Sequence, residues 1–304
     1  MRRAPLLLIC GLSLAAGAVA RGDVPEPLGD RPTTIAEFME MRTRPIVIAH
    51  RGFSSEAPEN TLAAVRAAIA AGADMVEVDV TLTADGEVVV IHDDTLDRTT
   101  NGSGPVAEHT LEELLRLDAG AWFARRFRGE RIPTLAQLLE EVRGRTLINV
   151  EIKSEAVGEK AAGGIAERVV RLIREREMAD QVVVSSFEPR ALLHIAELDP
   201  ELATASLYNE ELHRDLDPLA IVGEVGARAL NLSQDQATPA IVERCRQNGI
   251  SVGVYTANRT DEMRRLIRMD VDAIFTDRPD RLIRVLGDEL GPTLDRWTYP
   301  PTLD

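Results

Sequence analysis

Nine short apolar runs, separated by segments with helical patterning, dominate this chain. The runs cover residues 46–50, 75–80, 87–92, 146–152, 182–187, 203–208, 229–233, 251–256 and 273–277. Two of the intervening segments open with the capping-box spacing, Thr110 with Glu113 and Thr134 with Gln137. Repeated strand–helix units indicate a parallel sheet wrapped in helices, and eight such units close a barrel. The predicted fold class is therefore α/β, a TIM-type (β/α)8 barrel.

One of the nine runs has no place in an eight-stranded barrel. Only six residues, 81–86, separate the run 75–80 from the run 87–92, which is too short for a parallel crossover. The Asp85-Gly86 pair is a hairpin signal. We therefore predict a β-hairpin excursion after the second barrel strand, with 87–92 returning antiparallel. A turn centred between Asp85 and Gly86 would place Asp79 opposite His92.

The N-terminus is predicted to be a signal peptide, with a basic start, an apolar stretch too short to span a bilayer and the cleavage signal Ala18-Val19-Ala20. Cys10 raises a lipoprotein as an alternative, which the absence of a small residue before it disfavours. The expected location is therefore the periplasm or the exterior. The domains are predicted as a signal peptide, a lead-in segment, a barrel domain and a tail, at 1–20, 21–44, 45–287 and 288–304 respectively.

The charge balance narrows the classes of partner. The formal net charge of the 304 residues is −15, and removal of residues 1–20 leaves 33 basic against 50 acidic residues, a charge of −17. Such a chain repels nucleic acid and anionic lipid surfaces as a whole. No phosphate-binding glycine fingerprint appears either. We expect a small-molecule substrate, no nucleic acid and no stable membrane insertion, and leave the oligomeric state open.

Acidic side chains end two predicted barrel strands. Glu77 and Asp79 are two apart and so share one face of their strand, and Glu151 with Lys153 repeats that spacing. A salt-bridged barrel interior would explain either pair alone. Three carboxylates at the carboxyl ends of barrel strands suit a hard divalent cation, Ca²⁺ or Mg²⁺, and only Cys245 remains in the mature chain for a softer metal.

Two histidines and two cations end neighbouring segments. His50 closes the first run and His92 closes the hairpin return, while Arg51 and Lys153 provide phosphate-binding charges. A single histidine at a strand end is more often structural, but two that converge with three carboxylates indicate acid–base chemistry. The other histidines, at 109, 194 and 213, are predicted to serve as cap, surface or core residues.

Residues 49–104, "AHRGFSSEAPENTLAAV" through "IHDDTLDRTTNGSG", closely resemble the opening signature of the glycerophosphodiester phosphodiesterases. "DAGAWF", "GERIPTLAQLLEEV", "NVEIKS", "VVVSSF" and "VDAIFTDRPD" continue the resemblance in the same order, from about Pro45 to Leu286. The resemblance implies an α/β barrel that hydrolyses glycerophosphodiesters to glycerol 3-phosphate and an alcohol with the help of a divalent metal, commonly Ca²⁺ or Mg²⁺.

The resemblance also implies roles for residues. The acid–base histidines match His50 and His92, and the phosphate-contacting residues match Arg51 and Lys153. The metal carboxylates match residues Glu77, Asp79 and Glu151. Glu59 and Asn60 match a signature that we interpret as shaping the loop over the first strand.

Two departures from the family pattern stand out. Tyr255 occupies a position at which the family usually has Trp, and we expect it to contribute to substrate binding. The usual Gly-Val-Asp-Gly is Asp270-Val271-Asp272-Ala273 here, which affects a turn more than the chemistry.

Several alternatives stay open at this point. The alcohol group, the choice between Ca²⁺ and Mg²⁺, and which histidine is acid and which is base are not readable from sequence. Water attacks directly, or the glycerol 2-hydroxyl attacks first to form a cyclic phosphate. The rival functions are a lysophospholipid or sphingomyelin phospholipase D-like activity that forms a cyclic phosphate, and a catalytically silent barrel-type binding protein, although no histidine or carboxylate is lost.

Overall fold

A computed structural model describes residues 32–41, 43–214 and 216–291 of the chain. The predicted signal peptide and most of the predicted tail lie outside these residues. Eight parallel strands form a closed ring, because β1 pairs with both β9 and β2, and helices lie between the strands. The predicted TIM-type barrel is confirmed. The strands are β1 (Ile46–Ala49), β2 (Met75–Leu82), β3 (Val88–Val90), β4 (Leu147–Ile152), β5 (Val182–Ser186), β6 (Ala203–Leu207), β7 (Ala229–Ser233), β8 (Ser251–Tyr255) and β9 (Ala273–Thr276).

The helices largely follow the segments with helical patterning. Both predicted capping boxes are present, at Thr110 with Glu113 and at Thr134 with Gln137. The last helix runs to Leu290, past the predicted start of the tail at residue 288. The helices are α1 (Ile35–Met41), α2 (Leu62–Ala71), α3 (Leu111–Leu114), α4 (Leu135–Val142), α5 (Ile165–Glu175), α6 (Pro189–Leu198), α7 (Pro218–Val225), α8 (Pro239–Gln247), α9 (Thr260–Arg268) and α10 (Pro279–Leu290).

The antiparallel hairpin formed by β2 and β3 is present, but its predicted register was wrong by one residue. Val80 pairs with Val90, and the Ile91 N–H donates to the Asp79 carbonyl at 3.0 Å, so Asp79 lies opposite Ile91 instead of His92. The cause is a three-residue loop in place of a two-residue one. Gly86 closes this loop at φ 79°, in the left-handed region that such loops need at their last position.

The strand β2 separates two layers of the molecule. Val76, Val78 and Val80 belong to the apolar layer between the strands and the helices. Met75, on the other face, packs inside the barrel with Leu147 and Phe275. Because side chains alternate along a strand, Glu77 and Asp79 also point into the barrel, nearer its carboxyl end.

The helix α1 lies at the amino ends of the barrel strands. Its Ile35 N–H donates to the Asp180 carbonyl at 2.8 Å, and Phe38 packs into the barrel interior. A cavity of about 660 Å³ lies beside it, bounded by small side chains of β6, β7 and β8 such as Ala205 and Ala229. This cavity opens away from the carboxyl ends of the strands, so it is separate from the predicted site.

Candidate active site

The three predicted metal carboxylates meet inside the mouth of the barrel. Asp79 on β2 is paired in register with Glu151 on β4, and Glu77 lies two residues before Asp79. One carboxylate oxygen from each of the three lies within 4.8 Å of the others. Glu77 and Asp79 are each only 1% exposed. Two neighbouring strands therefore bring three acids to one point that is largely shielded from water.

Glu77 is the least compensated of the three. Its Oε2 accepts a hydrogen bond from the Arg51 N–H at 2.8 Å, but its Oε1 is buried with no hydrogen-bond partner. Burial, together with the charges of Asp79 and Glu151, raises the pKa of Glu77 well above its ordinary value. A buried carboxylate oxygen without a donor, beside two more carboxylates, fits a site for a hard cation with oxygen ligands.

Asp79 is held by more donors than its neighbours. The Asn60 amide donates to its Oδ2 at 2.8 Å, and Arg51 Nε and Lys153 Nζ lie 3.4 and 3.5 Å from its oxygens. Burial alone would raise the pKa of Asp79, but Lys153 and Arg51 hold it below its ordinary value. Asp79 is therefore the carboxylate that stays ionised without a metal.

Glu151 shares the ammonium group of Lys153. Lys153 Nζ donates to its Oε1 at 3.2 Å, from the position two residues further along the same chain. Burial and the charge of Asp79 raise the pKa of Glu151 despite this cation. Lys153 thus bridges two of the carboxylates, Asp79 and Glu151. Glu77 is instead bound by the backbone N–H of Arg51.

Arg51 lies at the first turn after β1. Its backbone has φ 56°, in the left-handed region, and the next residue, Gly52, has φ 81°. A Cβ on Gly52 would lie 2.6 Å from the backbone of Ala64, so this turn is pressed against α2. The turn aims the Arg51 guanidinium at Asp79 and at Glu59, whose Oε1 accepts from Nη1 at 2.9 Å.

His50 directly follows β1 and is oriented by a carboxylate from a distant part of the chain. Its Nδ1 lies 2.7 Å from Asp277 Oδ1, just beyond β9. Asp277 is fixed in turn by Asn258 Nδ2 at 2.6 Å and by Ser54 Oγ at 3.0 Å. Because Nδ1 is engaged, Nε2 is the ring nitrogen that faces a substrate.

His92 has the same arrangement on the hairpin side. Its Nδ1 lies 2.6 Å from Asp93 Oδ1, and Arg98 Nε donates to the other oxygen of Asp93 at 2.6 Å. Arg98 also binds Glu59, the carboxylate that accepts from Arg51. A chain of ion pairs therefore joins the surroundings of His92 to Arg51. Burial lowers the pKa of His92, although Asp79 opposes this effect. His92 is therefore neutral over a wider pH range than an ordinary histidine.

Tyr255 ends β8, and both its hydroxyl and its ring contact the fold. Its hydroxyl donates to the Tyr208 carbonyl at 2.7 Å, and its half-buried ring makes edge contacts with Phe187 and Phe275 at 5.9 and 6.4 Å between centroids. Burial raises its pKa, and the charge of Glu151 adds to the effect. The ring thus lies between the barrel core and the mouth, with its hydroxyl used by the fold.

Several residues of the site were not singled out from the sequence. Asp277 and Asn258 orient His50, and Asp93 orients His92. Asn60, which was predicted to shape a loop, also holds Asp79. One signal was available for Asp277, because it is the last residue of a predicted barrel strand, as His50 is. The histidines at 109, 194 and 213 make contacts outside this cluster or lie on α6, in agreement with their predicted structural roles.

Comparisons with known proteins agree with this architecture. A model of the glycerophosphoryl diester phosphodiesterase family matches residues 50–281, a range that contains all eight predicted site residues. A glycerophosphodiester phosphodiesterase of Caldanaerobacter subterraneus is 41% identical over 242 residues, which cover 79% of this chain and 97% of the relative.

Solved structures give the same result. The glycerophosphodiester phosphodiesterase of Agrobacterium tumefaciens is 33% identical with a TM-score of 0.70, over 79% of this chain and 99% of the other. A phosphodiesterase of Oleispira antarctica, solved in complex with the product sn-glycerol-3-phosphate, is 31% identical with a TM-score of 0.74, over 80% and 97% of the two chains.

Proposed function

This chain belongs to the glycerophosphoryl diester phosphodiesterase family, and on that premise we propose a metal-dependent hydrolysis in which His50 and His92 transfer the protons. The chain is a glycerophosphodiester phosphodiesterase, so the products are glycerol 3-phosphate and an alcohol. One observation supports the finer proposal above all others. Each histidine has its Nδ1 fixed by a carboxylate, at 2.7 and 2.6 Å, beside a group of three acids with an unpartnered buried oxygen.

Glu77, Asp79 and Glu151 would hold the divalent cation, Ca²⁺ or Mg²⁺. Their oxygen atoms are the ligand type that both ions prefer, and Glu77 Oε1 lacks any other partner. When bound, the ion supplies Lewis-acid polarisation of a nonbridging phosphate oxygen. The raised pKa of Glu77 indicates that this carboxylate gains most from a cation, since it has the fewest donors in the protein.

Arg51 and Lys153 bind the phosphate and offset the charge that develops on it. Both lie against Asp79, at 3.4 and 3.5 Å, which places their positive charges at the barrel mouth. The fork of Arg51 suits two phosphate oxygens, whereas Lys153 provides a point charge. Their ion pairs with Asp79 hold both cations in place before substrate arrives.

The protons move through the two Nε2 atoms. One histidine takes a proton from the attacking hydroxyl, and the other gives one to the oxygen that leaves, so the net charge of the protein does not change. Proton exchange with solvent then restores the starting protonation state of each imidazole. Asp277 and Asp93 stabilise whichever imidazole is cationic at each stage. The attacking group is water, or the glycerol 2-hydroxyl followed by hydrolysis of the cyclic phosphate.

The remaining parts of the proposal concern substrate and location. The ring of Tyr255 and its edge partner Phe187 provide a wall for the carbon face of glycerol or for a choline cation. We further propose that the enzyme is exported, on the basis of the sequence pattern of residues 1–20. A lysophospholipid phospholipase D-like activity is the competing reaction.

Phosphorus NMR with glycerophosphocholine, glycerophosphoethanolamine and a lysophospholipid tests this proposal. The protein is stripped with a chelator and then loaded with Ca²⁺ or Mg²⁺. We expect no turnover after stripping, restored turnover with metal, and glycerol 3-phosphate as the product. Full activity in a protein shown to be metal-free by elemental analysis would refute the metal dependence, and a persistent cyclic phosphate would favour the competing reaction. His109→Ala, a variant outside the site, serves as the control.

A further inference from the structure

Large apolar side chains are exposed around the mouth of the barrel. Within residues 32–41, 43–214 and 216–291, six large apolar side chains are exposed, and four of them lie on two connections that follow carboxyl ends of strands. Leu115 and Trp122 belong to the segment between α3 and α4, in the long connection that follows β3, and Leu212 and Leu216 to the connection between β6 and α7. Trp122 is 40% and Leu212 is 66% exposed. These side chains stand at the end of the barrel that holds the candidate active site.

The segment between α3 and α4, which carries Trp122, is basic, in contrast to the rest of the chain. Residues 116–131, here called the arginine loop, contain five arginines and two acidic residues, a net charge of +3, whereas the whole chain has −15. Arg125 and Arg128 are exposed and form no ion pair with any residue that the structure describes. Arg126 donates to the Glu56 carbonyl at 3.0 Å and lies over the Phe127 ring, which joins the loop to the turn after β1.

The arginine loop is a built surface. The Asp118 carboxylate accepts the N–H groups of Gly120, Ala121 and Gly129 at 2.7 to 2.9 Å. Trp122 Nε1 donates to the Ala119 carbonyl at 2.9 Å, and the Trp122 ring makes an edge contact with Phe123 at 5.7 Å between centroids. The backbone therefore holds an aromatic group and unpaired guanidinium groups outward, without burying them in the barrel.

We propose that this face of the barrel docks onto the surface of a phospholipid bilayer that contains anionic lipids. Trp and Arg together suit the boundary between head groups and acyl chains, because the indole has an apolar body and a polar edge and the guanidinium binds lipid phosphate. Leu212 and Leu216 add apolar contacts on a second loop of the same face. A nucleic acid would use the arginines but not the exposed leucines.

The acidic character of the whole chain does not prevent this docking. At physiological ionic strength charges are screened beyond about 8 Å, so the bilayer surface interacts mainly with the loops that touch it. The arginine loop supplies positive charge there, whereas the connection of Leu212 and Leu216 holds four acidic residues and one arginine. The electrostatic attraction therefore comes from the arginine loop alone. The docking is peripheral, in agreement with the absence of any helix long and apolar enough to cross a bilayer within the described residues.

Fluorescence of Trp122 measures the docking directly. The chain has two tryptophans, at 122 and 297, so Trp297→Phe leaves one reporter. We expect its emission to shift to the blue with vesicles of phosphatidylcholine and phosphatidylglycerol, and brominated lipid to quench it. The shift should weaken with vesicles of phosphatidylcholine alone and with added salt, since each arginine near an anionic surface contributes about a fivefold change in affinity.

Charge reversal in matched pairs separates the loop from the overall charge. Arg125→Glu with Arg128→Glu should weaken vesicle binding by at least tenfold in a sedimentation assay, while turnover of soluble glycerophosphocholine is unchanged. Arg171→Glu with Arg284→Glu, on α5 and α10, alters the net charge equally and should leave binding intact. Leu212→Ser should weaken binding more than Leu193→Ser, an exposed leucine on α6.

Three results would overturn the proposal. The first is no emission shift with anionic vesicles. The second is equal weakening by the loop pair and the control pair, which would mean that only net charge matters. The third is a Trp122 shift that depends on protein concentration without lipid, which would assign the face to contacts between copies of the chain. None of these measurements depends on turnover, so they are distinguishable from a failure of the proposed hydrolysis.

Discussion

The side-chain amide of Asn60 holds both the backbone N–H and the side chain of Asp79. Asn60 Nδ2 donates to Asp79 Oδ2 at 2.8 Å, and Asn60 Oδ1 accepts from the Asp79 N–H at 3.2 Å. Asn60 itself has φ 59°, a left-handed conformation that asparagine tolerates better than most residues. The two residues belong to different segments, the turn before α2 and the strand β2. A side-chain amide thus fixes the direction in which one carboxylate of the cluster points.

We expect Asn60→Gly to lower metal affinity by about 10- to 100-fold, which is the usual effect of removing a group that orients a metal ligand. Glycine keeps the left-handed backbone and removes only the amide. Calorimetric titration with Ca²⁺ and Mg²⁺ measures the change. Asn60→Ala should show the same affinity loss with a lower melting temperature, because alanine is strained at this φ. Unchanged affinity in the glycine variant would limit Asn60 to shaping the loop.

The pH dependence of stability should report the buried acids. The pKa values of Glu77 and Glu151 are raised in the folded, metal-free protein, so the folded state binds more protons than the unfolded state. These two groups therefore make their full contribution to the free energy of unfolding below their unfolded pKa, near 4.5. That contribution is lost as pH rises through the higher folded values. We expect the melting temperature of the chelated protein to fall over that window and added metal to reverse the fall.

Glu77→Gln tests which group dominates this titration. A neutral amide needs no counter-charge, so the chelated variant should melt at a higher temperature than the wild type at neutral pH and show a flatter pH dependence. Turnover should be lost at the same time. Glu87→Gln, an exposed glutamate on the hairpin, is the matched control and should change neither property. Parallel pH curves for Glu77→Gln and the wild type would contradict the assignment.

Removal of either proposed proton carrier should reduce turnover strongly. His50→Ala and His92→Ala are each expected to lower kcat by about 100-fold or more, within the range for general acid–base groups. Circular dichroism checks that the fold survives, and His109→Ala gives the reference. If one variant keeps near wild-type kcat on glycerophosphocholine, that histidine does not transfer a proton in the limiting step.

The carboxylates behind the histidines should act as positioning residues. Asp277→Asn keeps the shape next to His50 but removes the charge that faces Nδ1 at 2.7 Å. We expect kcat to fall while KM stays within a few-fold, the pattern of an interaction made mainly in the transition state. Asp277→Glu should recover part of kcat. A fall in melting temperature with normal kcat would show that Asp277 is only structural.

Much of this arrangement follows from sequence because local patterns determine it. The barrel strands, the capping boxes at Thr110 and Thr134 and the convergence of Glu77, Asp79 and Glu151 all depend on period and on strand ends. Asp277 is different, because it meets His50 only when the ring closes between β1 and β9, 227 positions apart in the chain. The hairpin register also depends on a loop conformation, since Asp85-Gly86 fits both a two-residue and a three-residue loop. Contacts that form only when the barrel closes, or when a loop adopts one specific conformation, cannot be predicted from residue spacing.

Substitutions of Tyr255 distinguish a role in substrate binding from a role in packing. Its hydroxyl spans 2.7 Å to the Tyr208 carbonyl, so Tyr255→Phe removes one partly buried hydrogen bond and leaves the ring in place. Such a bond is worth about 1 kcal/mol, which corresponds to a fall of about 2–4 °C in melting temperature for a domain of this size. We expect that fall with an unchanged KM for glycerophosphocholine, because the hydroxyl already serves the fold.

Tyr255→Ala removes the ring as well, and its effect on KM decides whether the ring contacts substrate. The edge partners Phe187 and Phe275 would lose a neighbour, so some loss of stability is expected in either case. If the ring forms a wall of the site, KM should rise more than kcat falls, because ground state and transition state lose the same contact. Tyr255→Trp should then lower KM, since a wider face packs better on glycerol or choline. If KM is unmoved in both variants while the melting temperature falls, the ring belongs to the core of the barrel and the substrate is held by Arg51 and Lys153.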